Sequence, residues 1–119
     1  MNFNLENRSN FAIFTVLDNA IEGKSAADLK SRILVVAQPD IEALVIDLSN
    51  VKVIDSSGLG ALLLAHRQLK DHSIPVVLVG MQDFTRNLLK ITRIEDIFQY
   101  YSSVDAALAG VERKDRNND

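Results

Sequence analysis

The sequence of 119 residues contains no cysteine, no tryptophan and only two prolines. Without cysteine the chain cannot form disulfides, use a thiolate nucleophile or bind zinc through sulfur. No run of about 18 consecutive apolar residues occurs, so membrane insertion is not expected. The first ten residues, MNFNLENRSN, lack a basic stretch followed by an apolar run. No secretory signal is therefore expected, and the sequence predicts a cytoplasmic location.

Neither sign of charge predominates, because 13 basic and 16 acidic residues give a formal net charge of only −3. Nucleic acid is not expected as a direct partner, since phosphate binding needs a clustered positive face. The only dense charge run is the end of the chain, ERKDRNND. It mixes both signs and lacks apolar residues, so residues 113–119 are expected to form a charged, disordered tail. The length before it supports one domain, over residues 1–112.

Segments typical of strands and helices alternate along the chain. Apolar, β-rich runs predict strands at residues 11–17, 41–48 with 51–54 as an extension, 74–80 and 96–101, and a weaker strand at 2–5 would form a hairpin. Helical spacing and Ser-x-x-Asp capping patterns predict helices from Ser25, over 57–70, over 83–91 with Phe84, Leu88 and Ile91 on one face, and from Ser102. This alternation indicates an α/β fold with a mostly parallel central sheet of four to five strands and about four helices.

The stretch VKVIDSSGLGALLLAHRQLK, residues 51–70, joins a strand to an apolar helix and carries the most unusual residue combination in the chain. An N-cap explains only one polar residue, although Asp55, Ser56 or Ser57 would each serve. Glycine in a first helical turn costs roughly 0.5–1 kcal/mol relative to alanine. Gly58 and Gly60 therefore suggest that backbone N–H groups at this junction must stay uncovered.

Two chemical interpretations of the junction fit poorly. A phosphate-binding loop at the helix start is weakly supported, because GLGALL matches neither G-x-G-x-x-G nor the P-loop pattern. A serine hydrolase is excluded by distance, since His66 would lie about 13–14 Å from Ser57 along one helix. Asp18 and Asp47 have no third ligand nearby in the pattern and are expected to be turn acids. The sequence thus predicts no metal, no cofactor and no catalysis by the chain itself.

The remaining interpretation is that another enzyme modifies a hydroxyl at the junction. A phosphoserine at a helix start adds about −1.5 to −2 charges where the dipole and free amides tolerate them. Asp55 beside it would add charge of the same sign. The modified surface would then repel a partner that binds the unmodified surface, which makes a switch.

The segment VIDLSNVKVIDSSGLGALL resembles the signature of the STAS domain, specifically that of the bacterial anti-sigma factor antagonists. Every residue from Asp55 to Gly60 matches the core motif, and the order of elements matches over about residues 2–112. The resemblance implies that Ser56 is phosphorylated by the anti-sigma factor, which is itself a serine kinase. The unphosphorylated antagonist would bind this kinase and release a sigma factor, and a metal-dependent serine phosphatase would reset the switch.

The expected partner surface surrounds Ser56 and comprises Asp55, Ser56, Ser57, Gly58, Leu59, Gly60, Leu64 and Glu22. A helical wheel places Leu59, Leu62, Leu63, His66 and Leu69 on the core side and points Leu64 away from it, with His66 a packed neutral histidine. The chain departs from the family where a Gly-Glu-Leu-Asp-like segment is usual, because DNAIEG matches loosely only at Ile21 and Glu22. Two alternatives stay open: a constitutive STAS adaptor or regulatory subunit of a membrane transporter, and a small-ligand or nucleotide-binding module.

Overall fold

The computed structural model describes residues 1–117, and their side chains as far as Val111. The strands are β1 (Phe3–Arg8), β2 (Phe11–Val16), β3 (Ala20–Ile21), β4 (Ala43–Asp47), β5 (Val53–Ile54), β6 (Val76–Val79) and β7 (Gln99–Tyr101). The helices are α1 (Lys24–Val36), α2 (Ser56–Leu69), α3 (Asp83–Ile91) and α4 (Val104–Asn117), with 3₁₀ turns at Lys70–His72 and Glu95–Ile97. The domain boundary at residue 112 stays a prediction: α4 is assigned as far as Asn117, and the end of the expected tail lies outside the described residues.

Five strands form the main sheet, in the order β1-β2-β4-β6-β7. Pairs β2–β4, β4–β6 and β6–β7 are parallel, whereas β1 and β2 form an antiparallel hairpin. Ser9 and Asn10 make its two-residue turn with φ of 51° and 69°, the left-handed conformation that tight hairpins require. The fold class, strand number and helix number are as predicted, but the sheet is mixed because β1 runs against its neighbour.

The strand order fixes which helices share a face. From β2 onward the main-sheet strands follow one another in chain order, so right-handed crossovers put α1, α2 and α3 on one side of the sheet. That side contains the larger core cluster, built around Phe14, Leu29, Ile46, Leu62 and Leu78. The opposite side is covered by α4, whose Ala107 and Val111 pack on a smaller cluster from alternate strand positions.

Strand β5 is not the extension of the preceding strand that the sequence predicted. The N–H of Val51 bonds to the Leu48 carbonyl at 2.9 Å and turns the chain away from the main sheet. Val53 and Ile54 instead pair in parallel with Ala20 and Ile21 of β3, forming a separate two-stranded sheet. This small sheet ends directly before Asp55 and so aims the start of α2 at the loop that follows β3.

The two predicted capping patterns are also wrong in detail. Helix α1 begins after Gly23, which has φ 52° and no side-chain cap, while the Ser25 hydroxyl bonds to the backbone of Glu22 at 2.9 Å. A positive φ is open to glycine without strain, so the backbone rather than Ser25 sets this start. Helix α4 is capped by Ser103, whose Oγ accepts the Ala106 N–H at 3.1 Å, so the cap is not Ser102.

The remaining predicted polar residues have local structural roles. Asp47 accepts the Ser49 N–H at 3.0 Å, two residues on, as a turn acid does. Asp18 instead accepts the Asn2 N–H at 3.2 Å, a contact between residues 16 positions apart in the chain. His66 is half-buried and meets the ring of Phe98 edge-on, with centroids 6.4 Å apart. Over residues 1–117, no helix combines the length and apolar character needed to cross a membrane.

Candidate functional site

Asp55 forms the junction between β5 and α2 and caps the helix. Its backbone is extended, with φ −96° and ψ −175°, and its carbonyl accepts the first helical bond from Leu59 N–H at 3.0 Å. The side-chain Oδ1 accepts the Gly58 N–H at 2.9 Å, which is the usual N-cap bond to the third helical residue. The sequence allowed three candidates for this cap, and the structure assigns the role to the acid.

The same carboxylate has two further donors. The Ser57 hydroxyl donates to Oδ1 at 2.6 Å, and the Gly23 N–H reaches Oδ2 at 3.3 Å from the loop after β3. The Ser57 hydroxyl foremost, and then the Gly58 N–H, hold the pKa of Asp55 below its ordinary value of 3.8 because they bond to the charged form. The Asp55 carboxylate is therefore ionised and fixed in position, and it links the start of α2 to the β3–α1 loop.

Ser56 differs from its neighbour Ser57. Ser56 is exposed and is the first residue of α2, whereas Ser57 is half-buried. Among the hydrogen bonds of the described residues, the Ser56 hydroxyl takes part in none, while that of Ser57 is bound to Asp55. The positive end of a 14-residue helix lies beside Ser56, so added negative charge there is favoured. Of the two serines, Ser56 presents the free hydroxyl.

Gly58 has a different role from the one that the sequence suggested for the two glycines. A Cβ on Gly58 would lie 2.7 Å from the Ile21 carbonyl oxygen and would overlap the Ile54 side chain. Its N–H is covered by Asp55, so this glycine permits close packing of α2 on the small sheet, not an open N–H group. A Cβ on Gly60 would lie 3.3 Å from Nζ of Lys30, a flexible neighbour that can move.

The other predicted partner residues are divided between surface and core. Glu22 is exposed and directly precedes Gly23, so the Asp55–Gly23 bond brings its loop to the start of α2. Leu59 is only 7% exposed and belongs to the core. The prediction that Leu64 points away from the core is wrong, because it is half-buried and packs against the larger cluster.

Three exposed apolar side chains were missed as candidate contacts. Val53 of β5 is 41% exposed, and Phe84 and Ile91 of α3 are 51% and 78% exposed. Helix α3 contacts β5 directly, while its own buried residues are Thr85 and Leu89. Of the predicted face of Phe84, Leu88 and Ile91, only Leu88 packs against the larger core cluster. The sequence signal for the buried face of α3 was the i, i+4 spacing of Thr85 and Leu89. This signal was weak because one of the two residues is polar.

The polar groups around Ser56 are the carboxylate of Asp55, the Ser57 hydroxyl and backbone N–H groups. Over the described part of the chain, no group of three or more His, Asp or Glu side chains is arranged to hold a metal ion. A cavity of about 350 Å³ lies elsewhere, between β1 and α1, with the stacked rings of Phe3 and Phe14 and the Arg32 side chain in its lining. What the α2 start offers chemically is an unbonded hydroxyl beside a fixed carboxylate.

Comparison with known proteins identifies the class. The STAS domain profile matches residues 2–107, and the chain belongs to the STAS domain family.

Solved structures of similar fold include several anti-sigma factor antagonists. The one from Mycobacterium paratuberculosis is 27% identical, with TM-score 0.81 and 93% of each chain covered. The Bacillus cell fate determinant SpoIIAA in its phosphorylated form is 16% identical, with TM-score 0.73 and 92% of this chain and 99% of that chain covered. A sulfate transporter family protein from Wolinella succinogenes is 18% identical, with TM-score 0.73 and coverage of 90% and 88%. The last two likenesses concern the fold.

Proposed function

We propose that this protein is an anti-sigma factor antagonist switched by phosphorylation of Ser56. Unphosphorylated, it binds a cytoplasmic anti-sigma factor that is a serine kinase, and the sigma factor is released. Phosphorylation of Ser56 by that kinase ends the interaction, and a metal-dependent serine phosphatase restores it. The chain is a substrate and binding protein and performs no catalysis itself.

The observation that carries this proposal is the exposed, unbonded hydroxyl of Ser56 at the first position of α2. A serine at a helix start commonly serves as the N-cap, and its hydroxyl is then hydrogen-bonded to the backbone. Here Asp55 is the N-cap. The family membership and the Mycobacterium paratuberculosis antagonist support the same role. A surface hydroxyl that has no structural bond is available to a kinase active site.

The switch works through charge at the partner surface. A phosphate on Ser56 adds about two negative charges next to the ionised Asp55, at the positive end of α2. The helix start tolerates the modification without unfolding, while a partner that has packed against the uncharged hydroxyl meets a hydrated dianion. Exposed Val53 and Phe84, on elements that contact each other, extend this surface with apolar area that such a partner would bury.

Intact mass and peptide mapping of the protein isolated from its native cells test the proposal. We expect one phosphate on Ser56, absent from Ser56→Ala. Ser102→Ala is the matched control, because Ser102 is also an exposed serine next to a helix start and is not the cap. The unphosphorylatable Ser56→Ala protein should retain a kinase on an affinity column, and Ser56→Glu should not.

A different outcome would favour the constitutive adaptor. If Ser56 is unmodified in growth and under stress, and both variants co-purify equally well with a membrane transporter ATPase complex, the switch is refuted. The likeness to the sulfate transporter family protein makes this comparison worth including. Thermal stabilisation by added nucleotide, in the absence of any protein partner, would instead favour the ligand-binding module.

A further inference from the structure

The motif presents two consecutive serines at one helix start, and a kinase must modify one of them. We propose that Asp55 is a positioning residue that selects Ser56 over Ser57 as the phosphate acceptor, because its carboxylate holds the Ser57 hydroxyl in a hydrogen bond. This inference rests on the proposed function. It assigns to Asp55 a role distinct from contacting the partner.

The other hydrogen bonds of the Asp55 carboxylate fix its position, and so they fix the hydrogen bond that it accepts from the Ser57 hydroxyl. Oδ1 accepts both the Ser57 hydroxyl at 2.6 Å and the Gly58 N–H at 2.9 Å, and the latter group is fixed by the helix. Oδ2 accepts the Gly23 N–H at 3.3 Å from a different element. The carboxylate cannot follow Ser57 outward without losing these bonds. Ser57 is also half-buried, so its oxygen is less accessible than that of Ser56.

Phosphoryl transfer requires a hydroxyl that can move into a kinase active site. The Ser56 oxygen forms a bond to the γ-phosphorus of a nucleoside triphosphate while the bond from that phosphorus to the bridging oxygen breaks. The nucleoside diphosphate leaves, and the hydroxyl proton passes to a base of the kinase. Ser56 meets this requirement because its exposed hydroxyl has no bond to give up within the described structure.

A carboxylate next to a hydroxyl can also serve as a base, but the contacts of Asp55 oppose that role here. Its hydrogen bonds lower its pKa, which makes it a poorer proton acceptor. A phosphate on the Ser57 oxygen would remove the donated proton and put a dianion at hydrogen-bond distance from the carboxylate. The same event would disturb the cap bond to Gly58. The helix start therefore disfavours modification of Ser57 both before and after transfer.

The hydrogen bond is tested without any kinase by measuring the pKa of the Asp55 carboxyl by carbon-13 NMR. We expect a value below the ordinary range in the wild type and in Ser56→Ala, and a clear rise toward the ordinary value in Ser57→Ala. The two variants are matched, since each removes one adjacent hydroxyl. An unchanged value in Ser57→Ala, or an equal rise in both variants, would overturn the proposed hold.

Selection is tested by mapping phosphate on Asp55→Ala and Asp55→Asn isolated from the same native cells as the wild type. In the wild type, phosphate on Ser57 should be only a trace compared with phosphate on Ser56. Asp55→Ala should show Ser57 phosphate increased by about tenfold or more, the scale expected when a charge-assisted hydrogen bond is lost. Asp55→Asn keeps an acceptor oxygen and should show a smaller increase.

The outcomes separate this inference from the proposed function. Ser57 phosphate comparable to Ser56 phosphate in the wild type overturns the selection and leaves a phosphorylation switch in place. So does a folded Asp55→Ala that carries phosphate on Ser56 with no increase on Ser57. Phosphate on neither serine in any variant overturns both. If Asp55→Ala does not fold, Asp55→Asn and the NMR comparison decide the result, since Ser57→Ala retains the cap.

Discussion

Helices α2 and α4 both follow a short strand and both have two consecutive serines at their start, yet the serines occupy different positions. In α4 the second serine, Ser103, is the cap, so Ser102 lies before the helix. In α2 the cap is Asp55, so Ser56 and Ser57 both lie within the first turn. Exposure alone does not distinguish Ser56 from Ser102, but only Ser56 is at the positive end of a helix beside an ionised acid.

The acids of the two helix starts differ as well. The Asp105 side chain of α4 is 93% exposed and lies 3.4 Å from the Arg8 guanidinium. Asp55 bonds to groups from its own helix and from the β3–α1 loop. In α2 the cap is an acid one residue before the two serines, so the Ser56 hydroxyl is not needed for capping and the helix end is still satisfied.

The largest effect on stability should come from substitutions three positions after each cap, where α2 has Gly58 and α4 has Ala106. Each residue is replaced by the one found in the other helix. Gly58→Ala should lower the free energy of unfolding by about 1–3 kcal/mol, because the new Cβ would overlap Ile54 and the Ile21 carbonyl. Ala106→Gly has no such clash to cause and should cost about 0.5–1 kcal/mol through backbone entropy. Urea unfolding of both variants provides the measurement.

Gly60→Ala is the internal control for this exchange. Its added Cβ would meet only the movable Lys30 side chain, so the higher helix propensity of alanine should leave stability equal or slightly raised. A Gly58→Ala protein as stable as Gly60→Ala would show that α2 can shift away from the small sheet. The close approach of the helix to Ile21 would then not be a requirement of the fold.

Removing the caps should have the next largest effect. Ser103→Ala should lower the free energy of unfolding by about 1 kcal/mol, the typical loss for one cap bond. Asp55→Ala should lower it more, because it also releases the Ser57 hydroxyl and the Gly23 N–H. Thermal and urea unfolding would compare the two directly. Equal losses would mean that the two additional bonds of Asp55 add nothing to stability.

The sequence predicted the candidate site and most of the elements, because those rest on local patterns. Apolar runs located β2, β4 and β6, and the motif from Asp55 to Gly60 pointed to the α2 start. The sequence pattern could not decide which of the three candidate residues is the N-cap of α2. That choice depends on the extended backbone at Asp55 and on a donor, Gly23, that is 32 residues away in the chain.

Two of the errors share one cause, which is that tertiary contacts decided between locally equivalent options. Strand β5 left the main sheet because β3, distant in sequence, supplied its partner. Leu64 was assigned to the solvent side from helical spacing, but the surrounding packing covers it. In helix α3, Leu88 packs against the core while Phe84 lies outward and Thr85 is buried, a division that apolar periodicity cannot reveal.

The smallest effect should be the contribution of the Asp55 carboxylate to stability in acid. The pKa of Asp55 is lowered on folding, so its stabilisation is complete above the ordinary aspartate value of 3.8 and is lost as the pH falls through its folded value. Asp55→Asn keeps an acceptor for the Gly58 N–H and the Ser57 hydroxyl. The variant should therefore be close to the wild type in stability in acid and less stable than the wild type at neutral pH.

The free energy of unfolding, measured from pH 7 down to about 3, should therefore fall less in Asp55→Asn than in the wild type. A decrease should remain, because the pKa of Asp28 is also lowered, chiefly by its hydrogen bond to the N-terminal amine. A pH profile of Asp55→Asn that runs parallel to that of the wild type would show that the α2 cap does not control the acid response.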